Sequence, residues 1–287
     1  MLMFVRALWL SILVAGALTL GCKDKAKISE EAARADVGEL VTLANEDVAE
    51  IERGLPEGGR KMATELRKDA GKEIDPQRVR SILRKVRQTV PDLAVAKSTF
   101  FVFADDKGIA VRNDLEQDTM AGKDLVGAYP ALKKVLSGDV YVATNGQFPG
   151  ASIPAGSDKE WVAGTPVKKD DGALIGILVT GWSYRRFAYH LQDSLKRILQ
   201  DRITREGENG KLPVFYVFVF DREAVYGARG TPAVNEKTLA DMNLVDKTAQ
   251  GLGHGTVTIT DRAFGWAAAR VPKLGDDVGI AVLRSEI

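Results

Sequence analysis

The residue types that carry most enzyme and metal chemistry are scarce in this chain of 287 residues, which has one cysteine, Cys22, and two histidines, His190 and His254. His190 lies among apolar residues that recur at helical spacing, which suits a packing or surface role. His254 lies in GLGHG, a glycine-rich turn before a strand-like run. No serine, cysteine or paired carboxylate can be placed beside either histidine, so a base with its nucleophile is not indicated. One cysteine and two separated histidines give no transition-metal spacing. GLGHG precedes a strand, not the helix N-terminus that phosphate loops use. DDKG and DDG read as hairpin turns, because a calcium loop needs more oxygens in series. Neither an enzyme, a metal nor a cofactor is expected.

Cys22 therefore needs another purpose, since an exported protein usually holds its cysteines in pairs. Arg6 supplies a short positive start, and Ala7 to Leu20 is uncharged and apolar. That run fits a secretory leader and is short for a spanning helix of about 20 residues. After Cys22 the stretch KDKAKISEEAAR is aqueous. TLGC resembles the lipobox of bacterial lipoproteins, with Thr19 and Leu20 where that pattern usually has Leu and a small residue. The resemblance implies that residues 1–21 are a signal peptide and that Cys22 carries the lipid, palmitate included, which anchors the mature chain to a membrane. Acyl chains hold at roughly 0.8 kcal/mol per buried methylene. An uncleaved anchor helix and a cleaved leader without lipid are the competing readings. Lys23 stands where many enteric lipoproteins of the inner membrane have Asp, so the expected address is the periplasmic side of the outer membrane.

Lys and Arg number 40 against 39 acids, and removing the leader takes away Arg6 alone. A balanced chain offers no electrostatic case for nucleic acid. Residues 60–87 are locally basic with acids interleaved, and read as solvated helix faces, with a docking patch as the lesser reading.

The elements that would position a site follow from periodicity. Val37, Leu40, Val41, Ala44, Val48, Ile51 and Leu55 form one helical stripe. LPEGG at 55–59 is expected to break it, with a shorter helix through Met62 and Leu66. Asp75-Pro76 predicts an N-cap with Pro in the first turn, and Val79, Ile82, Leu83, Val86 and Val90 carry the next stripe to Pro91. From Thr99 the period becomes two. TFFVF and IAVRN flank the turn ADDKG. A loop with Met120 and Gly122, a short helix from Tyr129 to Leu136, and the strands DVYVAT, WVAGTPV and ALIGILVTGW follow. Gly146–Ser157 is a Gly/Pro/Ser loop within this set. A long amphipathic helix runs from Tyr184 to about Arg205. The order then repeats: PVFYVFVF, AVYGAR, a helical stretch near Thr238–Met242, and GTVTIT, FGWAAARV and VGIAVLR. FVFADDKGIAVR echoes VFDREAVYGAR, and WVAGTPVKKDDGALIGILVTG echoes WAAARVPKLGDDVGIAVLRS, which aligns Asp105 with Asp221 and Trp161 with Trp266.

Strand, turn, strand, helices and three antiparallel strands is a PAS-like order. Carried by FFVFADDKGIAVRND, MAGKDLVGAYPALKKVLSG and the DDG hairpin, and by the export signal and tandem modules, the chain resembles the double Cache sensor domains of bacteria. The implied fold is α+β, with two tandem antiparallel-sheet modules behind a long helical N-terminal segment. The expected organisation is a tether and helical segment at 22–95, a first module at 96–182, a connecting helix at 183–210 and a second module at 211–287. The chain ends at Ile287 on the last strand, so the family's second span and output part are not expected, and its aromatic-Arg amino-acid signature is not evident. The resemblance implies a small-molecule ligand between sheet and loop-helix cover. In the first module the candidates are Arg112, Asp118, Tyr129, Tyr141, Thr144 and Trp161, with Arg112 able to grip a carboxylate through its planar fork. Trp161 and Tyr141 could equally be core, and Arg112 could face solvent. Tyr226, Arg229, Trp266 and Arg270 are the echoing set. The expected function is a lipid-anchored sensor that signals through a separate protein partner; the alternative is an envelope structural or adaptor lipoprotein without a ligand.

Lipidation has a direct check. Cys22→Ser should leave the chain out of the membrane fraction when cells are fractionated. A variant processed and pelleted like the parent refutes the anchor.

Overall fold

The computed structural model describes residues 3–68, 75–148, 158–206 and 211–286, with side chains from Lys25 onward. The side chains of the leader and of Cys22 fall outside this description, as do residues 149–157 of the Gly/Pro/Ser loop and 207–210. Among the described residues, no helix is long and apolar enough to cross a membrane.

The N-terminal stripe forms α1 (Met3–Arg67), and Val37, Leu40, Ala44, Ile51 and Leu55 are fully buried on it. The expected break at LPEGG does not occur: α1 continues through Pro56. Propensity predicts a break because Pro lacks the N–H and Gly is entropically poor in a helix. Packing overrides both. A Cβ on Gly58 would lie 2.8 Å from the Leu93 side chain, and one on Gly59 would lie 2.8 Å from the Pro166 carbonyl. These glycines let neighbours approach the helix, and that burial outweighs the propensity cost of about 1 kcal/mol each.

Asp75 caps α2 (Pro76–Thr89) as its sequence signalled, accepting from Gln77 N at 3.1 Å and Arg78 N at 3.2 Å. Pro91 ends that stripe and opens α3 (Pro91–Val95). The first sheet comprises β1 (Phe100–Asp105), β2 (Ala110–Asn113), β3 (Val142–Gly146), β4 (Glu160–Lys168) and β5 (Leu174–Ser183), in the antiparallel order β2-β1-β5-β4-β3. Its cover is α4 (Leu125–Ala128), a 3-10 turn at Pro130–Leu132 and α5 (Lys133–Leu136). The short helix expected over Tyr129–Leu136 is present as the 3-10 turn followed directly by α5. α4 precedes it and is parted from it at Tyr129, at φ −127°, ψ 78°, because Pro130 disfavours helical geometry at the residue before it. After α6 (Tyr184–Glu206), the second sheet repeats the pattern. β6 (Val214–Phe220), β7 (Val225–Gly227), β8 (Gly253–Ile259), β9 (Arg262–Arg270) and β10 (Gly279–Ser285) lie in the order β7-β6-β10-β9-β8, covered by α7 (Ala233–Asp241) and α8 (Leu244–Lys247). The fold is therefore α+β, two tandem PAS-like sheets behind a long N-terminal helix.

The Asp105/Asp221 echo is one of turn chemistry. Asp105 Oδ1 accepts from the N–H groups of Lys107 and Ile109, and Asp221 Oδ1 from those of Glu223 and Ala224. The tryptophan echo does not survive. Val102 pairs with Val179, which pairs with Gly164; Phe218, at the same place before its turn, pairs with Ala281, which pairs with Ala268. Gly164 thus matches Ala268, and Trp266 matches Val162, one residue from Trp161. A one-residue slip reverses the sheet face. Trp266 packs with Leu239 and Leu244 of the cover, whereas Trp161 stacks on Trp182 at 4.5 Å, and Trp182 on Phe187 of α6 at 4.6 Å.

Contacts group the chain into two compact units. One holds residues 42–190 with 271–276, and the other holds 191–270 and 277–287 with the described part of α1 up to Val41. In the second, α1 lies directly on β9: a Cβ on Gly265 would be 2.1 Å from Glu30 N. Gly265→Ala should therefore destabilise this unit by about 1–3 kcal/mol through overpacking against backbone that cannot yield. Gly38→Ala, with nothing within 4 Å of the new methyl, should instead stabilise by up to about 1 kcal/mol through helix propensity. Urea unfolding measures both, and a neutral Gly265→Ala would refute the close seating of α1.

Candidate functional site

β2 ends at Asn113, and the loop that follows is built around one ion pair. Arg112 Nη1 lies 2.8 Å from Asp118 Oδ2, and both side chains are under one-tenth exposed. Arg112 Nη2 also donates to the carbonyls of Leu115 at 3.1 Å and Glu116 at 3.3 Å. Asp118 in turn accepts from the N–H groups of Asn113, Met120 and Ala121. Burial opposes ionisation of Asp118, but Arg112 and these N–H donors overcome it and hold the carboxyl below its ordinary value. The structure thus joins two of the expected site residues and commits both to shaping the loop.

Side chains then alternate along the loop. Asp114 and Glu116 turn to α2, pairing with Arg87 and Arg80. Asn113, Leu115, Thr119 and Met120 border a cavity of about 150 Å³. Its remaining walls are Thr99 and Phe100 at the start of β1, Glu160 at the start of β4, and Ser183 and Arg186 where β5 passes into α6. Asn113 lies on the cover side because it pairs with Val102, a member of the core beneath the cover.

Polar groups converge here on an apolar floor. Glu160 is 1% exposed, and its Oε2 accepts from Tyr129 Oη at 3.2 Å and Phe148 N at 3.1 Å. Burial, and then the charge of Glu160, push the Tyr129 phenol far up, so it stays a donor. Asn113 Oδ1 accepts from Leu115 N, while its buried Nδ2 has no partner among the described residues. Arg186 is exposed at the cavity wall, and its guanidinium makes no ion pair among the described residues. The site can hold a small molecule by hydrogen bonds and by charge. Among the described residues no group of histidine, cysteine and acidic side chains could hold a metal.

The other expected residues separate. Tyr129 is fully buried in the cover core, and Thr144 faces the same side through its pairing with Val162. Trp161 lies on the opposite face of the sheet in the Trp182–Phe187 stack, so it cannot wall a pocket under the cover. Tyr141 is half-buried just before β3. Burial first, then Glu52 of α1, raise its phenol, which places it toward α1. In the second module Trp266 fills the space under the cover, and Arg270 is spent on the Val245 carbonyl at 2.8 Å. Tyr226 is buried and Arg229 exposed. Sequence reasoning missed Asn113, Glu160 and Arg186. Glu160 carried a signal, an acid opening an otherwise apolar strand; Asn113 was simply the end of the strand IAVRN, and Arg186 lay within the helix from Tyr184, with no mark of a site on either.

No protein-family model matches the chain, and no curated protein matches it in sequence. Solved structures do match in fold. The extracellular domain of a protein assigned as a histidine kinase aligns with TM-score 0.58 at 9% identity, over 92% of this chain and 93% of that one. A domain of a protein assigned to the sensory box/GGDEF family of Vibrio parahaemolyticus also gives 0.58 at 9%, over 91% and 97%. The likeness is one of fold, two tandem PAS-like antiparallel sheets behind a long N-terminal helix. An extracellular ligand binding receptor from Desulfohalobium retbaense matches 87% of this chain with TM-score 0.48 at 15% identity; this chain spans 39% of that receptor's length. At 9% identity the first two matches speak for the fold alone.

The loop ion pair makes a pH prediction. A carboxyl held below its ordinary value of about 3.9 stabilises the fold fully above that pH, and the contribution is lost as pH falls through the folded value. The amide proton shifts of Asn113, Met120 and Ala121 should therefore titrate together, with a midpoint below about 3.9. Asp118→Asn should abolish the shared transition, and a midpoint at or above the ordinary value refutes the hub.

Proposed function

We propose that the first module is a sensor that binds a small molecule bearing an anionic group, a carboxylate foremost, in the cavity between Asn113, Glu160 and Arg186. The observation that carries this reading is the pair of uncommitted donors there, the buried Asn113 Nδ2 and the Arg186 guanidinium. A buried donor left unpaired costs about 1–3 kcal/mol, which a ligand acceptor would recover. Arg112 was the expected anion holder, but both its terminal nitrogens are engaged, so in this reading it frames the loop and Arg186 meets the anion. Glu160 and Ser183 supply acceptors for the rest of the molecule, and Phe100 and Met120 its apolar contact.

The proposal extends to the whole chain. Lipid on Cys22 tethers the domain pair outside the cytoplasm, at the periplasmic face of the outer membrane, and the bound state passes to a separate protein partner. Support for the extracytoplasmic placement comes from the leader-like sequence and from a fold shared with an extracellular domain. The second module, whose space under the cover holds Trp266 and its neighbours, acts in this scheme as a packed support.

A thermal-shift screen of small carboxylates, followed by calorimetric titration of the best binder, tests the site. A ligand at about 100 times its dissociation constant adds roughly 2.7 kcal/mol of stability. Arg186→Ala and Asn113→Ala should each weaken binding about tenfold, the equivalent of about 1.4 kcal/mol. Trp161→Phe, on the other face, should leave affinity unchanged. Binding that ignores both cavity variants, or no carboxylate binding at all, overturns the proposal.

A further inference from the structure

A second place in this unit has the chemistry of a binding site. Arg80, Arg84 and Arg87 lie at i, i+4 and i+7 along α2, beside the buried stripe of Val79, Ile82, Leu83 and Val86. They form one wall of a cleft of about 550 Å³, whose other wall is Asp114, Leu115 and Glu116. Gln88 also borders it.

The three arginines are not equally engaged. Arg87 is spent: it holds Asp114 at 2.9 Å and the Ser98 carbonyl at 3.1 Å, and lies 5.0 Å over the Phe101 ring. Arg84 is exposed and makes no ion pair among the described residues. Arg80 Nε is buried without a partner among the described residues. The two terminal nitrogens of Arg80 meet the two carboxylate oxygens of Glu116, a fork-on-carboxylate contact. Glu116 is 85% exposed, against 16% for Arg80. The acid therefore lies on the solvent side of the base, where an incoming anion would lie. Hydrogen bonds from Arg80 first, with the charge of Arg84 also contributing, lower the Glu116 carboxyl, so both cations bear on the same spot.

An ion pair whose acid is largely open to solvent is weakly held, so Glu116 is readily displaced. A monoanionic carboxylate would only repeat what Glu116 already does at high effective concentration. A tetrahedral dianion brings a second charge that Arg84 can engage, and charge-assisted contacts from two guanidinium groups are the strong ones. We propose that Arg80 and Arg84, with the Gln88 amide, bind a phosphate group, and that Glu116 is the internal placeholder that leaves when it arrives. The phosphate is either the free ion or a phosphomonoester of a small molecule. This site is separate from the cavity, with Leu115 bordering both.

Calorimetric titration of the full chain at low, fixed ionic strength tests this, with inorganic phosphate and glycerol 3-phosphate as probes. Saturable binding is expected, weakened about tenfold in Arg84→Gln, a loss of about 1.4 kcal/mol. Binding should tighten in Glu116→Gln and be unchanged in Arg186→Ala, which belongs to the cavity. Phosphate binding without glycerol 3-phosphate binding supports the free ion as occupant; binding of both supports a phosphomonoester. No saturable binding of either probe at millimolar concentration, or a Glu116→Gln variant that fails to bind tighter, overturns the proposal.

Discussion

A methyl group on Gly265 would sit 2.1 Å from the backbone nitrogen of Glu30, and one on Gly59 would sit 2.8 Å from the Pro166 carbonyl. The rest of the structure depends on this nearness of α1 to the strands. A sheet with one apolar face buries it only against another element. In each unit part of that duty falls on α1, packed so closely that side chains are excluded at the points of contact. With its helix side sealed in this way, a sheet has its other side left for a cover, and in the first module the cover side holds the cavity. A fold without a disulfide depends on such dense packing, because interiors gain dispersion energy only where atoms touch.

Buried charge fixes how the helix sits. Arg284 on β10 meets Asp36 of α1 at 2.7 Å, with Asp36 fully buried. Burial raises the Asp36 carboxyl despite the hydrogen bond from Arg284. A buried pair of this kind adds little net stability, but removing one member leaves an uncompensated charge, so it disfavours any other seating of α1. His190 of α6 and Asp47 of α1, 3.1 Å apart, mark a comparable point in the other unit.

The loop after β2 shows how one segment can serve two surfaces. Arg112 and Asp118 lock its backbone, and alternation then sends Asp114 and Glu116 to α2 and Asn113 and Leu115 to the cavity. The two proposed sites thus share a wall whose geometry is set by residues that touch neither ligand. An ion pair whose two terminal guanidinium nitrogens and two carboxylate oxygens are all engaged is stiff enough for that, and loops positioned on a rigid scaffold are where binding residues concentrate.

The strands, the capped start of α2, the long α6 and the repeat of the module were legible in the sequence, because period-two and period-3.6 patterns and Asp turn chemistry are local. So was the balance of charge, and the scarcity of residues for catalysis. The cavity was legible only in outline. Trp161 and Trp266 align by letter, yet a one-residue difference in register puts them on opposite faces. No local signal fixes register between strands far apart in the chain. Arg112 looked like a hand for a ligand because its type and strand position allowed it; only the fold showed Asp118 and two carbonyls already in that hand. LPEGG looked like a helix end because Pro and Gly are poor helix formers in isolation. The tertiary structure decided otherwise, since the energy of packing against Leu93 and Pro166 exceeds what local propensity can oppose.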